Sequence, residues 1–149
     1  KTMGFLNALD ISASGMTAQR MRLDIAAENI ANSNTTRTEA GGPYRRKMVV
    51  FEPIEKTSFR QAFRSEIARQ SASGGGVRVA EIVEDERPFE MLYDPEHPDA
   101  DENGYVQMPN VDMLKETVDS MAASRAYDAN LTVFNTVKTL AAKALEIGK

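Results

Sequence analysis

The densest run of side chains able to do chemistry is Asp99-Ala100-Asp101-Glu102-Asn103-Gly104. It resembles the first half of a calcium-binding EF-hand loop, with oxygen donors at alternate positions and then a glycine for the sharp turn. The position that should supply a bidentate glutamate is Asn110, and Pro95 and Pro98 stand where the entering helix should be. An acidic turn is the reading these residues support. His97 is the only histidine. It lies between Glu96 and Pro98 with no nucleophile beside it; Asp94 and Asp99 near in sequence would allow a weak divalent site, but a surface or turn-capping side chain is the favoured reading. Gly74-Gly75-Gly76 lacks the Gly-Lys-Ser/Thr of a phosphate loop and reads as a turn. Glu84-Asp85-Glu86 reads as a solvated acidic face, and Arg45-Arg46-Lys47 as the solvated start of a strand. There are no cysteines, which removes disulfides, thiolate metal sites and a cysteine nucleophile together. No catalytic, cofactor-binding or metal-ligating constellation emerges, and the expectation is a protein that is not an enzyme.

The elements around these residues are mainly helical. Leu6, Leu9, Ala13, Met16, Arg20, Leu23, Ala27 and Ile30 recur in steps of three and four, which predicts one helix over about residues 4–32. Asn32-Ser33-Asn34-Thr35-Thr36 should end it, because these side chains compete for backbone hydrogen bonds. Val111, Leu114, Val118, Ala122, Ala126, Ala129, Val133, Val137, Leu140, Ala144 and Ile147 follow at a mean step near 3.6, which predicts a longer helix over about 110–147. Asn110 is its expected N-cap, with Asp112 in the first turn, and Gly148 its expected stop. Between them, 45–51 and 77–83 read as strands, Thr57–Arg69 reads as ambiguous, and Asp94–Pro109 reads as loop. The expected fold is therefore mainly α with a small β part. Long N- and C-terminal helices pair as a coiled-coil-like hairpin, with residues 1–36 and 110–149 forming one core and 37–109 a middle segment.

Composition fits that picture. Net charge is −4 and charged residues make up 27%, with no basic face of the kind that binds nucleic acid. No apolar stretch approaches the roughly 20 residues that span a bilayer. Lys1-Thr2-Met3 leads into a helical pattern without the apolar core of a secretory signal peptide. The C-terminal seam is rich in alanine, and Leu131, Phe134 and Leu145 widen its apolar arc. A wide arc implies more than one packing partner, so self-assembly is expected.

Two motifs at opposite ends carry a family resemblance. Glu28-Asn29-Ile30-Ala31-Asn32-Ser33-Asn34-Thr35 resembles the N-terminal signature of the rod proteins of the bacterial flagellar basal body. Ser124-Arg125-Ala126-Tyr127-Asp128-Ala129-Asn130 resembles the Arg-Ala-Tyr-Glu-Ala-Asn motif of rod and hook proteins, with Asp128 in place of the commoner Glu. Tyr93-Asp94-Pro95-Glu96-His97-Pro98-Asp99-Ala100, Gly104-Tyr105-Val106, Pro109-Asn110-Val111-Asp112 and the ending Lys143-Ala144-Leu145-Glu146-Ile147-Gly148 look like the proximal members of that family. The resemblance implies a structural subunit of a periplasmic tube. Such subunits are exported by the flagellar type III apparatus without a cleavable signal peptide. Their partners are other copies, other rod subunits and the adaptor protein at the rod base, with no nucleic acid and no membrane insertion. The residues expected to serve packing and assembly are Leu9, Met16, Leu23, Asn29, Ile30, Asn32, Val118, Arg125, Ala126, Tyr127, Asn130, Val133, Val137 and Leu140. In-chain pairing should set Leu9, Met16, Leu23 and Ile30 against Val118, Ala126, Val133 and Leu140. The competing readings are a soluble helical adaptor or chaperone of a secretion apparatus, and a hydrolase with its site in the Asp94–Asn110 loop.

Overall fold

The computed structural model describes residues 2–54 and 75–147. The ambiguous stretch Thr57–Arg69 and the expected stop at Gly148 lie outside them. The chain runs α1 (Thr2–Ala31), β1 (Lys47–Pro53), β2 (Val77–Glu84), β3 (Glu90–Tyr93), β4 (Tyr105–Met108) and α2 (Met113–Ile147). It is mainly helical with a small β part. β1 pairs with β2, and β3 with β4. Asp85 N–H donates to Arg46 O and Ile54 N–H to Gly76 O, which makes the β1–β2 ribbon antiparallel. By internal contact the described residues form two units: one from 2–20, 51–54, 75–80 and 124–147, the other from Met21–Val50 and Glu81–Ala123. No helix among the described residues is long and apolar enough to cross a membrane.

Polar side chains define the helix ends. Asn32 donates its side-chain amide to Glu28 O at 3.0 Å and accepts from the Thr35 hydroxyl at 3.1 Å, so it closes the last turn of α1. At the start of α2 the cap is Asp112, not the expected Asn110. Asp112 Oδ1 accepts from the N–H groups of Leu114 at 3.0 Å and Lys115 at 3.1 Å, which fits an N-cap carboxylate. Asn110 is buried, its hydrogen bonds committed elsewhere.

In the first unit, Gly15 lies against Asn130: a Cβ added at Gly15 would stand 2.9 Å from Asn130 Nδ2. Ser14 Oγ donates to Ile11 O at 2.7 Å and accepts from Val77 N–H at 3.1 Å, which seats the start of β2 on α1. Gly76 makes this possible, having a φ of +123° and room only for hydrogen where a Cβ would meet Ser14 Oγ.

In the second unit, Arg22 pairs with Asp119 at 3.1 Å and Asn29 with Glu116 at 2.9 Å. Rising numbers on α1 meet falling numbers on α2, so the helices pair antiparallel here. The face α2 turns inward carries Glu116 and Ala123, both buried, and the buried face of α1 carries Ile25, Ala26 and Asn29. In the first unit the buried α1 positions are Ser12, Gly15 and Ala18. This corrects the expected in-chain seam. Val118, Val133 and Leu140 are 58%, 49% and 55% exposed, while Leu9, Met16, Leu23 and Ile30 are half-buried. Small and polar residues let the two backbones come close, and the bulky apolar rows are left on the flanks and outside.

The stretch read as loop, 94–109, contains one strand, β4, which closes a hairpin with β3 just before it. β3 and β4 pair antiparallel, with Leu92 opposite Val106 and Tyr93 opposite Tyr105, whose rings meet edge to face at 5.2 Å between centroids. The acidic run forms its turn. Asp101 Oδ1 accepts from Asn103 N–H at 2.9 Å and from Tyr105 N–H at 2.8 Å. Asp99 accepts from the Thr36 hydroxyl at 2.8 Å, and His97 Nδ1 accepts from Asp99 N–H at 3.1 Å.

Candidate functional site

The best-built polar site lies in the second unit, where α1, the chain before β1, the end of β2 and the start of α2 converge. Asn29 is its hub, 1% exposed. Its Oδ1 accepts from Tyr44 OH at 2.9 Å and from Lys47 N–H at 2.9 Å, and its Nδ2 donates to Lys47 O at 2.9 Å and to Glu116 Oε2 at 2.9 Å. Two donations and two acceptances exhaust the hydrogen-bonding capacity of an amide side chain.

Glu116, 2% exposed, takes its other hydrogen bond from Arg46 Nε at 2.6 Å. A buried carboxylate requires such a partner, because burying a lone charge is very costly. The Arg46 guanidinium also faces Asp85 at 3.6 Å and Asp119 at 3.6 Å. Asp85 pairs in turn with Arg87 at 2.6 Å, and Asp119 with Arg22 at 3.1 Å. Three arginines thus face three carboxylates. Asn110 ties the network to the main chain: Oδ1 accepts from Arg46 N–H at 2.8 Å, and Nδ2 donates to Asp85 O at 3.0 Å and Arg87 O at 3.1 Å.

The field of this network shows in two groups. The Arg87 side-chain hydrogen bond, helped by its backbone N–H and by the charges of Arg87 and Arg46, outweighs burial and holds Asp85 down at about 2. Burial, with the Glu28, Glu116 and Glu84 carboxylates, pushes Tyr44 up to about 12. Every carboxylate in the network is engaged by a cation or an amide. The arrangement can fix geometry.

The network ties a motif near the N-terminus to the first turn of the C-terminal helix, and comparison with known proteins matches the same two regions. Residues 9–37 match the family described as "Flagella basal body rod protein", and residues 102–147 match "Flagellar basal body rod FlgEFG protein C-terminal". The flagellar basal-body rod protein FlgC of Bacillus subtilis is 46% identical, over 99% of this chain and 100% of its own length. The chain belongs to the FlgC family of flagellar basal-body rod proteins. The same protein from Borreliella burgdorferi is 43% identical over 97% of this chain and 98% of its own length, and that of Escherichia coli O6:H1 is 43% identical over 99% and 100%.

Within this FlgC-family chain the motif residues take distinct places. Asn29 enters the buried network and Asn32 closes α1. Asn130 donates to Ala126 O at 2.9 Å and stands beside Gly15. Ala126, Tyr127 and Val137 are half-buried on α2. Arg125 is exposed and makes no hydrogen bond or ion pair with a described residue; Val118, Val133 and Leu140 share its exposure. Two expectations are corrected. Asp85 is buried between exposed Glu84 and Glu86, and Arg46 is buried within a run read as solvated. Glu116, Tyr44 and Asn110 were missed as parts of one site. A signal for Glu116 does exist in the sequence: Glu116, Ser120, Ala123, Tyr127, Asn130, Phe134, Val137 and Ala141 keep heptad spacing, but their polar members rank below the all-apolar row beside them.

Proposed function

We propose that this chain is a structural subunit of the proximal part of the flagellar basal-body rod. Copies assemble helically into the drive shaft that transmits torque and encloses the export channel. The observation that carries this reading is identity above two-fifths to rod proteins over almost the whole of both chains. Residues 1–36 and 110–149 form the rod core, and 37–109 the outer segment. The subunit reaches the periplasm through the type III export route. Its neighbours are further copies, other rod subunits and the adaptor at the rod base.

The arrangement of the helices supports this. Head-to-tail assembly needs surfaces left over after the chain has folded. In the second unit α2 leaves Leu114, Val118 and Met121 exposed, and in the first it leaves Leu131, Val133, Leu140 and Leu145. A soluble adaptor that closed its helices on themselves would cover these rows. Enzymatic action finds no support in the network, whose carboxylates are consumed by internal pairs.

Complementation tests the reading. In a flagellated bacterium lacking its own FlgC, the wild-type chain should restore motility and be found in purified basal bodies. A Val118→Asp/Leu140→Asp variant should fold and be exported but build no rod. Absence of the wild-type chain from basal bodies would overturn the proposal; full motility with the double variant would overturn the assignment of the outer rows.

A further inference from the structure

Asn103 is the only asparagine in the sequence followed directly by glycine. Such a pair is chemically labile for a steric reason: without a Cβ on the second residue, its backbone nitrogen can approach the asparagine Cγ. The fold imposes glycine at 104. Its φ is +79°, and an added Cβ would lie 3.1 Å from both Pro95 Cβ and Tyr93 Cε2. Asn103 is exposed, and no hydrogen bond among the described residues uses its side-chain amide.

We propose that Asn103 is a site of spontaneous deamidation, and that the β3–β4 turn holds the reaction off while the chain is folded. The Gly104 amide nitrogen loses its proton to water and attacks Asn103 Cγ. The new N–Cγ bond forms, the Cγ–Nδ2 bond breaks, and Nδ2 leaves as ammonia after taking up a proton from water. Water then opens the cyclic imide at either carbonyl and leaves aspartate or isoaspartate. The only co-reactant is water, and nothing is oxidised or reduced.

The turn opposes the first step. Gly104 N–H is donated to Asp101 O at 3.0 Å, and Gly104 O accepts from Asp94 N–H at 2.9 Å. Asp101 Oδ1 holds the N–H groups on either side, those of Asn103 and Tyr105. Attack therefore requires the turn to open, and the rate in the folded chain follows that local opening. The product matters to the hairpin. Isoaspartate adds a methylene to the main chain, which draws Gly104 O away from Asp94 and Tyr105 out of register with Tyr93. A chain that waits unfolded accumulates this lesion, and a folded chain is protected.

The test uses the full chain, incubated at neutral pH folded and in urea, with peptide mass spectrometry and an isoaspartate-specific methyltransferase as readouts. Conversion should concentrate at Asn103 in urea and be at least about tenfold slower in the folded protein. Asp101→Ala removes the acceptor of two turn amides and should bring the folded rate toward the urea rate, with hydrogen exchange at Arg46 and Lys47 verifying that the rest of the unit stays folded. Absence of conversion at Asn103 in urea would remove the site. Equal rates in the two states, or Asp101→Ala as slow as wild type while folded, would remove the gate.

Discussion

Glu116 and Asn29 stand 87 positions apart in the chain and share a hydrogen bond of 2.9 Å with neither side chain open to solvent. This bond joins the N-terminal motif to the base of the C-terminal helix, and through Arg46 it depends on the segment leading into β1.

Removing Glu116 should be severe. Glu116→Ala leaves the Arg46 guanidinium buried without its nearest carboxylate and Asn29 Nδ2 with one acceptor fewer. A loss of about 3–5 kcal/mol is expected. Val118→Ala, two residues on but exposed, should change stability by no more than about 0.5 kcal/mol. Urea unfolding midpoints measure both, and similar shifts for the two variants would deny the network its structural role.

Gly15 and Asn130 should behave as a coupled pair. Gly15→Ala places a methyl group 2.9 Å from Asn130 Nδ2, and overpacking of this kind costs about 1–3 kcal/mol. In an Asn130→Ala background the same change should be neutral or stabilising by up to about 1 kcal/mol, because alanine suits a helix better than glycine. A double-mutant cycle reads the coupling directly; additivity would show that the two residues do not touch in solution.

The pH dependence has two arms. Asp85 titrates at about 2 against an ordinary 3.8, a lowered folded-state value. Its contribution is present above the ordinary value and is lost as pH falls through the lower one. Asp85→Asn should therefore flatten the stability curve between those two points. Tyr44 is raised from 10.0 to about 12, so its contribution is present below 10.0 and fades as pH climbs through the higher value. Tyr44→Phe should abolish the last phenolate step in an ultraviolet titration.

Local stability should differ between the units in dilute monomer. Among the described residues, the buried apolar side chains of the first unit reduce to Ala18, whereas the second holds Ile25, Ala26, Tyr44, Val106 and Ala123 with the ion network. Little apolar burial leaves little to offset ordering entropy. Amide exchange should be fast over about residues 5–20 and 124–147, and slower around Asn29, Lys47 and Glu116. Strong protection of both helix ends in a verified monomer would contradict this account.

Arg125→Ala should separate folding from assembly. The side chain has no partner among the described residues, so the monomer should keep its stability to within about 0.5 kcal/mol, while rod formation and motility are impaired. Normal assembly would remove Arg125 from the interface.

Much of this fold was legible in the sequence. The presence of α1 follows from its apolar period and its end from Asn32, and strands β1 and β2, though not their pairing, follow from their β-branched runs. The face that α2 turns inward was not legible, because the row Glu116–Ala123–Asn130–Val137 mixes a charge and an amide into positions where pattern reading favours Val118 and Leu140. The charge makes sense only beside Arg46 and Asn29, which lie far away in the chain. The hairpin was hidden by its neighbours, since the prolines and acidic turn formers of 94–104 overshadow two strands of four residues each. Asn110 misled for a related reason: an asparagine before a helix usually caps it, but here the buried backbone at Asp85 and Arg87 claims its amide.

The contact between Asn29 and Glu116 also sets a schedule. Closing 87 residues into a loop costs chain entropy on the order of 4 kcal/mol, growing only with the logarithm of length. Contacts of this sequence separation form late, after the local elements they tie together. A chain threaded end-first through a narrow passage has one end of this bond out while the other is still inside. On the proposed export route such a chain completes this contact only after residue 116 has emerged, so the final shape is expected on the far side of the passage.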